Sequence, residues 1–211
     1  MNIQAKALDN LNVTLSSVIE PLDARELFSK DQPLEVELGC GDASFLVEYA
    51  RRNPQTNFIG VERLLGRLQK LDRKGRRLGL TNLRGVRIES SYFLQYLLPP
   101  HSAEALHVYF PDPWPKLRHH KRRIVAPGPV AALGRVLRDG AELRIATDDP
   151  DYKGWILAQV LADGAFEWCA RQPSDWRIRP ADWPETRYEA KARAAGRTPS
   201  FFRFRRRPRA G

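Results

Sequence analysis

Only two cysteines, Cys40 and Cys169, occur in the 211 residues. That is too few for a disulfide framework, and with four scattered histidines it is too few for a zinc site. His101, His107, His119 and His120 show no metal-ligand spacing with acids or cysteines, so no metal is expected. No apolar core follows Met1 that would read as a signal peptide. The longest uncharged stretch, Ser90 to Ala103, contains two prolines and falls short of the roughly 20 residues that span a bilayer. Internal repeats and low-complexity linkers are lacking as well. These absences leave a cytoplasmic chain with no membrane partner. What is present is a 42 % hydrophobic content, enough for one domain to bury a core and offset its chain entropy. The expected division is an N-terminal extension over 1–33, partly disordered or helical, and one domain over 34–211.

Charge is unevenly placed. The net is +10 overall, yet residues 1–50 carry three Lys/Arg against nine Asp/Glu, while residues 171–211 carry twelve against four. A basic remainder joined to an acidic first quarter suits a polyanion on one face and a cationic or hydroxyl-rich ligand near the acids. Charge alone leaves nucleic-acid binding and mere solubility evenly matched.

Apolar runs alternate with amphipathic stretches, the pattern of a parallel sheet covered by helices. Strands are expected at Leu34–Leu38, Asn57–Val61, Leu83–Ile88, Ala105–Phe110, Ala141–Ala146, Phe166–Ala170 and Ser200–Arg206, seven in all. Helices are expected over Asp42–Arg52, Arg63–Arg77 and Asp151–Leu161, with Arg122–Leu137 interrupted by Pro127-Gly-Pro129. The fold class is therefore α/β, doubly wound, and in such sheets ligands bind beyond the carboxyl ends of the strands.

At the first of those ends stands Gly39-Cys-Gly41, a turn that lets backbone approach a ligand closely. Ser44 occupies the place of the third glycine of a dinucleotide fingerprint. Glu37 precedes the turn and Asp42 follows it, so the site disfavours a pyrophosphate, which wants an unopposed helix N-terminus. Two carboxylates suit a positively charged ligand such as S-adenosylmethionine. Glu62 ends the second strand 21 residues after Gly41, where an acid accepts from ribose hydroxyls, and Glu89 ends the third, toward an adenine edge. A strand-end acid taken singly is more often a solvated loop residue; three at successive strand ends make a set.

The segment Tyr109-Phe-Pro-Asp-Pro-Trp-Pro-Lys-Leu-Arg-His-His-Lys-Arg-Arg123 is the most informative. Asp112 lies between prolines that fix the backbone, Trp114 offers an aromatic face, and Lys116, Arg118, Lys121, Arg122 and Arg123 follow. A carboxylate in a rigid turn beside an aromatic and a basic run suits a purine delivered on a phosphate backbone. From Phe110 to Arg123, and again at Val36–Gly39, Gly60–Glu62, Ala146–Asp148 and Thr186–Glu189, the sequence resembles the bacterial tRNA (guanine-N7-)-methyltransferases. The resemblance covers roughly residues 34–206 and implies a Rossmann-like class I methyltransferase fold with helices on both faces of a mostly parallel sheet. It implies S-adenosylmethionine as methyl donor, tRNA as partner, N7 of the guanosine at position 46 as acceptor, and a monomer or homodimer. Cofactor contacts then fall on Glu37, Gly39, Gly41, Glu62, Glu89 and Asp112, with Asp112 the catalytic residue. Substrate contacts fall on Lys116, Asp148, Thr186, Arg187, Tyr188 and Glu189, and RNA-backbone contacts on Arg118, Lys121, Arg122 and Arg123. Departures from the family pattern are Ala43 in place of a glycine, Glu89 in place of an aspartate, and Arg187 in place of a lysine.

N7 carries a free lone pair, so this chemistry needs no general base, and none of the Ser–His or His–carboxylate type is visible. Asp112 is thus expected to orient and to stabilise charge, alongside its ordinary role as a turn-forming Asp before Pro. The basic helix 63–77 reads better as a solvated face than as a phosphate surface, and the Arg203–Arg209 cluster is open between RNA contact and fraying. Three other readings are weaker. Exocyclic-amine methyltransferases carry a different proline order after the acid, a pure RNA binder gains nothing from the acids at 37, 62 and 112, and a dehydrogenase fails at Ser44.

Overall fold

The computed structural model describes residues 10–209. Its sheet has eight strands in the order β1-β4-β3-β2-β5-β6-β8-β7: β1 (Asn12–Val13), β2 (Leu34–Leu38), β3 (Asn57–Glu62), β4 (Leu83–Arg87), β5 (Ala103–Tyr109), β6 (Leu137–Thr147), β7 (Phe166–Trp168) and β8 (Ser200–Arg206). The first six run parallel, and β8 runs antiparallel to both β6 and β7. The chain builds outward from β2 to β4 and then returns to place β5 against the other edge of β2. That reversal opens a crevice at the carboxyl ends of β2 and β5, where open α/β sheets bind ligands.

Helices α1 (Ala24–Leu27), α2 (Ser44–Arg52), α3 (Leu65–Arg77), α4 (Ser90–Tyr92), α5 (Pro127–Val136), α6 (Pro150–Ala162), α7 (Ser174–Arg177) and α8 (Arg187–Ala194) accompany the strands. Pro127 and Pro150 each stand at a helix start, where the missing N–H costs nothing. The expected interruption at Pro127-Gly-Pro129 is thus the beginning of α5. Two apolar layers flank the sheet. One joins Val36, Leu106, Leu133, Ile156 and Phe202; the other joins Phe45, Leu46, Phe58, Leu71 and Trp183. The spacing of the basic helix turns Leu64, Leu65, Leu68 and Leu71 to one inner face; Leu68 and Leu71 are buried as that spacing implies, whereas Leu64 and Leu65, at the helix start, are about half exposed.

Seven strands were expected and an eighth is present. Leu11 is fully buried in the notch that Gly75 leaves, where a β-carbon would stand 2.4 Å from Leu11 Cδ1. Gly85 N–H donates to Leu11 O at 2.9 Å, which pairs Asn12 with Gly85 along the edge. Two residues carry no hydrophobic period, so only the tertiary notch makes this strand. Residues 1–9 of the expected extension lie outside the described residues. Its remainder packs on the domain, with Leu22 N–H donating to Leu97 O and Asn57 N–H to Pro33 O, both at 2.8 Å.

Side chains on the second face of β2 are acidic, and the sheet accommodates one of them by pairing. Glu35 accepts from His107 Nε2 at 2.7 Å and Arg144 Nη1 at 3.4 Å. A carboxylate only accepts, so His107 Nε2 carries the proton and Nδ1 accepts from the Tyr109 hydroxyl at 2.9 Å. Burial keeps His107 below its ordinary range and neutral; burial also opposes charge on Glu35, but His107 and Arg144 outweigh it and hold that carboxyl low. Glu37, two residues on, has no such partner.

Candidate active site

Glu37 is 4 % exposed, and its Oε2 has no hydrogen-bond partner among the described residues. Burial, with Asp42 and Glu62 nearby, pushes its carboxyl up to about 8. A buried carboxylate left unpaired is costly, so in the folded chain Glu37 keeps its proton well above the ordinary carboxyl range. Immediately beyond it the backbone turns through Gly39 (φ 78°), Gly41 (φ 56°) and Ala43 (φ 56°). Ala43 occupies a left-handed conformation that a glycine would adopt without strain. Above Gly39 lies open space, with no atom within 4 Å of where a β-carbon would stand.

Glu62, 6 % exposed at the end of β3, organises that turn. Its Oε2 accepts from Gly41 N–H at 3.1 Å and Arg67 Nη1 at 3.4 Å, and its Oε1 accepts from Leu64 N–H at 2.9 Å. Asp42 accepts from the Ser44 hydroxyl at 2.8 Å, and Lys74 Nζ donates to Asp42 Oδ2 at 3.3 Å, to the Asp42 backbone O at 2.8 Å and to Ser44 Oγ at 2.9 Å. The carboxylate at the start of α2 is therefore already neutralised from within, unlike Glu37. Glu89 follows β4 as an exposed cap, accepting from Tyr92 N–H at 2.8 Å.

Across the crevice, β5 runs into the Asp112 turn. Phe110 and Trp114 bracket it at φ 50° and 45°. Both precede prolines, which favour extended backbone, so both are strained, a condition that persists only where the surroundings impose it. Phe110 N–H donates to Ala146 O at 2.8 Å, tying the turn to β6. Asp112 itself is exposed.

Residues 31–201 match the family described as "Putative methyltransferase". The tRNA (guanine-N(7)-)-methyltransferase of Rhodospirillum rubrum is 45 % identical over 193 residues, spanning 90 % of this chain and 75 % of that protein. The protein of the same name from Ruegeria pomeroyi is 42 % identical over 187 residues, spanning 89 % and 78 %. This chain belongs to the tRNA (guanine-N7-)-methyltransferase family. Solved structures share its fold: the 16S rRNA methyltransferase KamB superposes at a TM-score of 0.64 and 17 % identity, covering 89 % of this chain and 95 % of that one. A geranyl diphosphate methyltransferase superposes at 0.57 and 16 % identity, covering 83 % and 71 %.

In this family member the expected residues divide into those at the crevice and those that support it. Lys116, Arg118, Lys121 and Arg122 are exposed on or beside the 3-10 turn Leu117–Arg122, with Arg122 lying over the Trp114 ring at 5.1 Å. Arg123 departs from that set. It is 1 % exposed, donates from Nε to Pro113 O at 2.8 Å and from Nη2 to Asp151 at 2.7 Å, and lies between the Tyr152 and Trp155 rings at 4.8 and 4.7 Å. A guanidinium enclosed this way pins the Asp112 turn from inside and is unavailable to a phosphate. Thr186 caps α8 by accepting from Glu189 N–H at 2.9 Å. Glu189 is fully buried, accepting from Arg179 and Arg193, while its Oε2 has no partner among the described residues. Thr186-Arg-Tyr-Glu189 is thus a helix start held by its own cap, with Arg187 and Tyr188 outward. Asp148 accepts from Arg197 Nε at 2.6 Å. Neither this partner, 49 residues away, nor the left-handed Phe110 has a sequence signal; both follow from the fold.

The raised Glu37 carboxyl contributes a pH dependence of stability opposite in sign to that of the paired acids. Between 4.5 and about 8 the unfolded chain has released a proton that the folded chain keeps, so stability falls as pH rises through that window. Glu37→Gln lacks the titrating proton, and its melting temperature should gain on the parent's from about pH 5 to about pH 8 and level off above that. Parallel curves would contradict the placement. In urea unfolding, Arg123→Met should cost roughly 2–3 kcal/mol through its lost hydrogen bonds and ring contacts. Arg122→Met, on the surface, should stay within about 0.5 kcal/mol.

Proposed function

We propose that the chain transfers a methyl group from S-adenosylmethionine to N7 of guanosine 46 in the variable loop of tRNA, as a cytoplasmic monomer or homodimer. The observation that carries this reading is the buried, unpartnered Glu37 beside an open glycine turn, opposite the strained Asp112 turn on the neighbouring strand. S-adenosylmethionine, when bound, supplies an activated methyl on a cationic sulfur, with an ammonium beside it. Glu62 lies at the crevice, and Glu37 becomes a carboxylate there once an incoming cation displaces its proton, which fits those charges. Glu62, oriented by Gly41 and Leu64 N–H groups, keeps lone pairs for ribose hydroxyls. Glu89 commits Oε2 to Tyr92, which leaves its other oxygen for the adenine edge.

The acceptor needs no base. Its N7 lone pair is bare, and catalysis reduces to holding it in line while carboxylates offset the charge that the purine gains. Asp112 and Asp148 accept from the guanine N1–H and N2–H₂ edge in this reading, Asp148 exchanging its Arg197 partner for the base. Lys116, Arg118, Lys121 and Arg122 take the phosphate backbone, a contact that weakens with salt. The experiment is methyl transfer to unmodified tRNA followed by borohydride–aniline cleavage. Scission at the variable loop is expected, and scission elsewhere or none would overturn the reading. Asp112→Asn keeps shape and loses charge. Its turnover should fall on the order of a hundredfold, the scale of losing one electrostatic stabiliser, with cofactor affinity retained.

A further inference from the structure

The two side-chain hydrogen bonds of Arg123 go to two different loops. Nε donates to Pro113 O at 2.8 Å, one residue beyond Asp112, and Nη2 donates to Asp151 Oδ2 at 2.7 Å, three residues beyond Asp148. Those loops leave neighbouring parallel strands. Tyr109 and Ala146 are paired across β5 and β6, so Asp112 and Asp148 emerge from adjacent strand ends. The α6 side of the tie is firm, because Asp149 caps that helix by accepting from Tyr152 N–H at 2.7 Å. Tyr152 and Trp155 hold the guanidinium between their rings, and both also fasten the chain just after it. Val125 N–H donates to the Tyr152 hydroxyl at 3.3 Å, and Trp155 Nε1 donates to Val125 O. Arg123 Nη1 is buried with no hydrogen-bond partner, so among the described residues Pro113 O and Asp151 are all that the side chain bonds. On the Asp112 turn, the Phe110 N–H bond to Ala146 O holds the near end. Arg123 holds the far end, and a planar fork fixes direction as well as distance.

We propose that Arg123 is a positioning residue for the methyl transfer: by tying Pro113 to the first turn of α6, it sets the spacing of Asp112 and Asp148. This rests on the proposed function, in which those two carboxylates hold the guanine edge. Arg123 touches neither cofactor nor RNA, and so differs in kind from the exposed Arg122 beside it. A base held by two carboxylates stays in line with the methyl only while both keep their places. Misplacement by about 1 Å costs on the order of a hundredfold in rate. Phosphate contacts made by the exposed cations are untouched by such a shift, since they depend on charge at the surface. Loosening the tie therefore slows the chemical step and leaves tRNA affinity in place.

The test uses Arg123→Lys and Asp151→Ala, singly and together, in the full chain and below the melting temperature of each protein. Lysine keeps the buried charge but is a point donor that does not span both acceptors. Asp151→Ala cuts the tie from outside, at a side chain that is 73 % exposed. In methylation of unmodified tRNA, each single variant should lose on the order of ten- to a hundredfold in kcat, with KM for tRNA near the parent's. The dependence of tRNA binding on salt should also match the parent's, whereas Arg122→Met should lower that slope by up to about one. The double variant should be no slower than Arg123→Lys alone, because both changes break one connection. A parental kcat in either single variant, a loss confined to KM with a lowered salt slope, or losses that multiply in the double variant overturns the proposal. Should Arg123→Lys not fold, the kcat of Asp151→Ala decides alone. Failure of the parent to methylate tRNA would instead overturn the function on which the proposal rests.

Discussion

A carboxylate buried without a partner is the constraint around which this molecule is arranged. Glu35 and Glu37 share a face of the same strand, but only Glu35 is answered, by His107 and Arg144. Had the sheet needed mere tolerance of acids, the same row of cross-strand pairs could have served both. Glu37 is instead left at the point where the chain reverses its winding and β2 meets β5. Unanswered charge in a low-dielectric site costs stability, and the fold keeps the group by holding its proton. An incoming cation would release that proton and recover the cost, which couples binding to ionisation.

The surrounding parts act to keep the crevice open and its walls rigid. Glu62 ties the glycine turn to β3 through backbone N–H groups, and Lys74, 3.3 Å from Asp42 Oδ2, offsets the charge of Asp42. Opposite them, the Asp112 turn carries two aromatics in left-handed backbone, a strain on the order of 1–3 kcal/mol each. Arg123 offsets it by clasping Pro113 from within, between two rings. Strain and clasp together present Asp112 to solvent without letting the turn relax. A turn held rigid in this way is what the proposed transfer, which has no acid–base step, would call for.

Much of this was legible in the sequence, for reasons that differ by residue. The alternation of Leu34-Glu-Val-Glu-Leu38 followed by Gly-x-Gly locates a strand and a turn, because apolar period and glycine freedom are local properties. The acids at 37, 62 and 89 could be placed at strand ends by the same argument. Partnership could not. Whether an acid is neutralised depends on groups distant in the chain, such as Lys74 for Asp42 and Arg197 for Asp148. Arg123 illustrates the limit. Within a run of basic residues it looks like its neighbours, yet only it turns inward, where Tyr152 and Trp155 from α6 enclose it. Likewise Asn12–Val13 pairs as a strand because Gly75 and Gly85 leave room above β4.

The most direct measurement of the central claim is the heat of S-adenosylmethionine binding at pH 7 in buffers of different ionisation enthalpy. A Glu37 carboxyl raised to about 8 is mostly protonated there, so binding should release about one proton to the buffer. The observed heat should then vary linearly with buffer enthalpy, and that slope should vanish near pH 9. A heat independent of buffer at pH 7 would contradict the account.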